Sequence, residues 1–246
     1  MNANYFGTGL AALIGSALLL ANTAYATPVI TSTSVKFNAV GDTATVKYDG
    51  NIDKTPGILG LTAETTFKLT GISGNVLNFD ITISNTSSST LWSDTRVSVI
   101  GFNTDPNLAS VSVTAPTGWF AVQNSSFPNG FGNIELCFKE DGGTNNCQSG
   151  GGGGISLGES SVTLNVALTF TGNPPPVTFD NFGVRYQSLT SIDKINGKSY
   201  KGDSGTGNGT PLDDSVPPFE IPEPVSLLLF GAGLLGLGFS RRFKLA

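Results

Sequence analysis

Between Val76 and Asn85, the apolar residues Leu77, Phe79, Ile81 and Ile83 fall at every second position, with Asn78, Asp80 and Thr82 between them. An extended strand turns successive side chains to opposite faces, so this spacing makes one apolar and one polar face, which a helix of 3.6 residues per turn does not. The same period recurs at 34–40, 43–48, 161–170 and 177–186. Further β-rich runs occupy 58–69, 95–102, 109–113, 119–122 and 134–138. Turn residues separate them: Gly41-Asp42, Gly71 to Asn75, Thr86 to Thr90, Asp105-Pro106-Asn107 and Pro174-Pro175-Pro176. No stretch between Thr27 and Ile221 sustains a helical period. The expectation is an all-β domain over residues 27–200, a β-sandwich or jelly roll of about eight to ten strands. Unequal strand lengths and one-sided alternation favour two packed sheets over a closed barrel.

The ends of the chain differ from this body. Leu10 to Leu20 is an apolar run and Ala24-Tyr25-Ala26 is an A-x-A site, so residues 1–26 read as a helical signal peptide, with Thr27 as the first mature residue. A first membrane helix is the alternative, but the run is short and a small-residue site follows it directly. No Lys or Arg precedes the run, which points to an unusual leader or a misplaced start codon. Residues 201–220, rich in Gly, Asp, Ser, Thr and Pro, read as a flexible linker. Beyond it come Pro222-Glu223-Pro224, an apolar run from Val225 to Phe239, and Arg241, Arg242 and Lys244. The run is about as short as a spanning helix can be. Its glycines suit a lipid-embedded helix, and the basic cluster marks the cytoplasmic side, leaving the body outside. A buried core helix is the bland alternative, and such a helix rarely ends in clustered cations.

Pro-Glu-Pro, a short Gly- and Leu-rich span and a terminal basic cluster, in that order over residues 221–246, resemble the PEP-CTERM sorting signal of Gram-negative bacteria. The resemblance implies that an exosortase recognises Pro222-Glu223-Pro224 and removes the tail. Contact with the inner membrane would then be transient, preceding release to the cell surface or the extracellular matrix.

Charge and cysteine usage agree with export. The chain has 13 Lys and Arg against 18 Asp and Glu; the leader carries no charged side chain, and three of the cations lie beyond Pro224. The body is therefore markedly acidic, lacks a basic stripe, and makes nucleic acid a poor partner. Cys137 and Cys147, the two cysteines, read as a disulfide in an oxidising compartment. A zinc site would need ligands the sequence lacks, since histidine is absent.

Candidate chemistry is sparse. Without histidine, the Ser-His-Asp and Cys-His arrangements are excluded. Glu135 with Glu140 or Asp141 forms the conceivable carboxylate pair of a glycosidase, although Glu140-Asp141 also reads as solvated turn chemistry. Gly150 to Gly154 lacks the Lys-Ser/Thr of a phosphate cradle and reads as a flexible loop. Asp203 to Asn208 has the oxygen-rich character of a calcium loop without its spacing. Trp92, Trp119, Phe120, Phe127 and Phe131 are either a sugar-stacking platform, with Trp119 and Phe120 as glycan contacts, or sandwich core.

Four further segments are Asn85 to Ser89, Gly101 to Pro106, Leu136-Cys137-Phe138 with Cys147 and the glycine run, and Asp180 to Ser188. Together they resemble the exported PEP-CTERM subfamily called cistern, which implies a secreted surface or matrix protein without assigned catalysis. The functional expectation is a non-enzymatic, cofactor-free protein of an exopolysaccharide or biofilm matrix. A carbohydrate-binding module that uses the aromatic loops is the alternative.

Overall fold

A computed structural model describes residues 27–129, 131–141, 145–148, 152–172, 174 and 176–213. The expected signal peptide, with Ala24 and Ala26, lies outside the described residues, as do the sorting motif, its apolar run and its basic end. Every regular element among the described residues is a strand. In chain order these are β1 (Val29–Ile30), β2 (Ser34–Phe37), β3 (Thr43–Tyr48), β4 (Asn51–Ile52), β5 (Thr55–Pro56), β6 (Ala63–Ser73), β7 (Val76–Asn85) and β8 (Trp92–Asp105). They continue with β9 (Leu108–Ala115), β10 (Trp119–Phe127), β11 (Gly132–Glu140), β12 (Ile155–Ser156), β13 (Val162–Phe170), β14 (Val177–Ser191) and β15 (Lys201–Leu212).

One antiparallel path runs β10-β11-β8-β14-β15-β3-β6-β7-β13-β9. Its two end strands, β9 and β10, are consecutive in the chain, so the sheet bends round into a nearly closed, barrel-like shape. This corrects the expectation of two separate packed sheets, although opposite walls do meet face to face. Phe179 of β14 lies with its ring centroid 5.0 Å from Phe79 of β7, 5.6 Å from Phe67 of β6 and 4.6 Å from Phe102 of β8. The alternation that predicted the strands supplies the interior: Leu77, Phe79, Ile81 and Ile83 are all buried, and so are Leu164, Val166, Leu168 and Phe170 opposite them.

The sheet stays continuous because of β15, which corrects the linker expected from residue 201. Its first part pairs with β14, from Lys201 opposite Thr190 to Asn208 opposite Gly183. Its last four residues pair with β3, from Gly209 opposite Tyr48 to Leu212 opposite Thr45. The composition that reads as a linker is what lets the strand fit. A Cβ at Gly209 would stand 2.6 Å from both Phe182 Cβ and Val46 Cγ1, and one at Gly207 would collide with the Asp49 carbonyl. Glycine here is a packing requirement, and the missing apolar alternation follows from it.

If β15 is structural, Gly207→Ala lowers stability by about 1–3 kcal/mol, as overpacking does, in a urea titration. Deleting residues 201–212 abolishes the cooperative transition altogether, whereas loss of a linker would leave it intact.

Candidate functional site

The outer face of β8, β10 and β11 carries a second apolar cluster of Val99, Val122, Phe127, Ile134 and the disulfide sulfurs. Cys137 of β11 is bonded to Cys147, as expected, with a Cα–Cα distance of 6.0 Å. The bond pins residues 145–148 over the sheet, where the Cys147 N–H donates to Ser125 Oγ at 3.0 Å. Farther along, the Gly154 N–H donates to the Glu140 carboxylate at 2.7 Å, and Arg96 Nη1 donates to the Gly152 carbonyl at 2.6 Å. Ile155 then pairs with Val97. The described part of the glycine run is therefore a strap held to the sheet, not the flexible loop expected.

The aromatic platform does not form. Trp119 is buried in the main core, and its neighbour Phe120, on the opposite face of β10, is exposed. Trp92 is fully buried, with its indole N–H donating to the Leu59 carbonyl at 3.2 Å. Phe127 lies in the outer cluster against Phe131, ring centroids 5.1 Å apart. One exposed ring does not make a stacking surface. The alternation of β10 explains the split, since it turns Trp119 inward and Phe120 outward.

Nor do the candidate carboxylates converge. Glu135 accepts hydrogen bonds from the Thr104 N–H (2.8 Å), Thr104 Oγ1 (2.8 Å) and the Leu108 N–H (2.7 Å). It thereby ties β11 to the corner between β8 and β9. Glu140 holds Gly154 at the other end of the β8–β11 pairing. Both carboxylates serve backbone donors, a structural use of charge. The Asp203 to Asn208 segment lies within β15 instead of forming a calcium loop, and no group of acidic, Cys or His side chains among the described residues is placed to hold a metal ion.

What the structure does assemble is a polar groove. A cavity of about 460 Å³ is lined by Asn103, Asn107, Asn124, Asn133, Glu135 and Asp180. It shares Asn103 and Asp180 with a second cavity of about 480 Å³, which continues to Asn181 and Asn208. Asn103 Oδ1 accepts the Glu135 N–H at 2.9 Å, which orients that amide. Carboxamides both donate and accept, so such a lining suits a polyhydroxylated ligand. Partial burial raises the Asp180 carboxyl above its ordinary value, and the Asp105 and Glu135 carboxylates add to the effect. Asparagine identity alone did not reveal the groove, because only the lateral pairing of β10, β11, β8, β14 and β15 brings these amides together.

Residues 220–242 match the PEP-CTERM protein-sorting motif. The chain carries a PEP-CTERM sorting signal. The matched stretch contains Pro222, Glu223, Pro224, Arg241 and Arg242, and it implies export, cell-surface sorting and processing by an exosortase. No curated protein and no solved structure shows significant similarity to the chain.

Two variants test the groove's wiring. Glu135→Gln keeps the shape but removes the charge that holds Thr104 and Leu108, and costs about 1–3 kcal/mol in chemical denaturation. Asp180→Asn acts in the opposite direction. A carboxyl with a folded pKa above the unfolded 3.8 opposes folding while ionised, and this opposition fades as pH falls through the folded value. The variant therefore melts slightly above wild type at pH 7, and the difference narrows to nothing as the pH approaches 3.8.

Proposed function

We propose that the protein is a non-enzymatic component of the bacterial surface or extracellular matrix. It is exported through the signal peptide at residues 1–26 and held briefly in the inner membrane by the apolar run after Pro224. An exosortase acting at Pro222-Glu223-Pro224 then releases it. The sorting motif at residues 220–242 is the observation that carries this reading. The resemblance of the body to the cistern subfamily adds support, as do its acidic balance and its disulfide. The absence of histidine from the sequence and the structural use of Glu135 and Glu140 favour a role other than catalysis.

Within that setting the partner is an exopolysaccharide of the matrix. The carbohydrate-binding alternative loses its aromatic platform, since Trp119 is buried. The amide-lined groove around Asn103 and Asp180 is the surface that favours glycan contact instead.

Intact mass spectrometry of the protein from a host with an exosortase is the test. The mature species begins at Thr27 and lacks the residues that follow the Pro-Glu-Pro region; a full-length C-terminus overturns the sorting reading.

A further inference from the structure

The cavities around Asp180 do not stand alone. The second opens toward a third, of about 250 Å³, with Asn181 and Asn208 shared and Asn51, Asn129 and Thr206 added. In the β14–β15 ladder Asn208 lies opposite Gly183 and Thr206 lies opposite Arg185. One step farther along the same two strands is a fourth cavity, of about 480 Å³, lined by Arg185, Arg96, Gln187, Asp94 and Asp203 among others. The polar row therefore follows β14 from Asp180 to Gln187.

Arg96 and Arg185 are the two arginines between Thr27 and Asp213, and both reach this fourth cavity. Arg96 is held in place by the Gly152 carbonyl and by Gln187 Oε1, at 3.3 Å from Nη2. Arg185 is likewise half-buried; its Nε–H finds no acceptor among the described residues, and burial lowers its pKa from the ordinary value. Partial withdrawal of a cation from water is costly, and an anion that reaches the outer nitrogens of the guanidinium offsets that cost. A guanidinium takes a carboxylate through two parallel N–H···O bonds. Asp94 and Asp203 offset the two arginines, so the cavity has room for a single carboxylate on Arg185 and acceptors for the hydroxyls beside it. Uronic acid units have both groups, and a chain of them matches a row of cavities better than a single pocket.

We propose that the outer face of β14 and β15 is a binding track for an acidic polysaccharide. A uronate carboxylate sits on Arg185 beside Arg96, and the hydroxyls of neighbouring units are held by the amides between Asn103 and Asn208. The track rests on the matrix reading for its setting, yet the two fail separately: sorting is read from the C-terminal mass, and the track from binding by the purified chain.

The test is calorimetric titration of the full chain with polygalacturonate, free galacturonate and neutral dextran. Polygalacturonate binds, dextran does not, and the free monosaccharide binds at least about tenfold more weakly than the polymer, because it occupies one cavity of the row. Arg185→Gln lowers polymer affinity about tenfold or more, as expected for loss of a charge-assisted pair. It leaves the melting temperature unchanged or raised, since a half-buried charge is removed. Asn208→Ala, in a different cavity, weakens the polymer and not the monosaccharide. Absence of polygalacturonate binding overturns the proposal, and so do equal binding of dextran and retained affinity in Arg185→Gln. Equal affinity for monosaccharide and polymer also overturns the track and assigns the Arg185 cavity to small carboxylates.

Discussion

Phe179 of β14 lies against Phe37, Phe79, Phe67 and Phe102, residues drawn from β2, β7, β6 and β8, with ring centroids 4.6 to 5.6 Å apart. Such tilted and edge-to-face pairs add about 0.5–1.5 kcal/mol each to the burial of the rings themselves. They are also the contact that brings opposite walls of the sheet together. Phe67 adds direct contacts to Phe102 at 5.2 Å and to Phe182 at 5.9 Å, so β6 and β7 face β8 and β14 across a shared aromatic core. The inner face of β14 is thus committed to the core, while the outer face of the same strand presents Arg185 and Gln187 to the polar row.

Closure depends on β15 as well. A strand with bulky side chains at positions 207 and 209 would not lie against Asp49, Val46 and Phe182. The chain therefore uses glycine where a linker would, for the opposite purpose. On the outer surface the Cys137–Cys147 bond holds residues 145–148 down and the Glu140–Gly154 contact holds residues 152–154, and Arg96 is anchored to the latter through Gly152. The disulfide and the polar row are in this way parts of one outer layer.

The alternating strands were legible in the chain because a half-buried strand writes its geometry into every second residue. β7 and β13 show it: the residues assigned to one face by spacing are the buried ones. The disulfide was legible for a different reason, since two cysteines in an exported chain without histidine have few other uses. β15 was not legible, because close backbone approach erases the apolar signal that marks a strand. Trp119 and Phe120 illustrate a second limit. Composition shows that aromatics are present, and only the register of β10 decides which of them meets solvent. Glu135 illustrates a third, because a carboxylate poised for chemistry and one that clamps a backbone corner look the same in sequence.

By itself, the sequence determined the address and the class of fold. A sorting signal is read by an enzyme as a linear string, and a two-residue period is a local property of the chain. The tertiary structure alone decided where polar groups converge. Asn103, Glu135, Asp180 and Arg185 come from three strands, and antiparallel pairing places β11, β8 and β14 side by side in an order the chain does not follow. The amide-lined groove and the half-buried Arg185 are consequences of that order, since neither neighbours in sequence nor composition specifies which distant strands will share an edge.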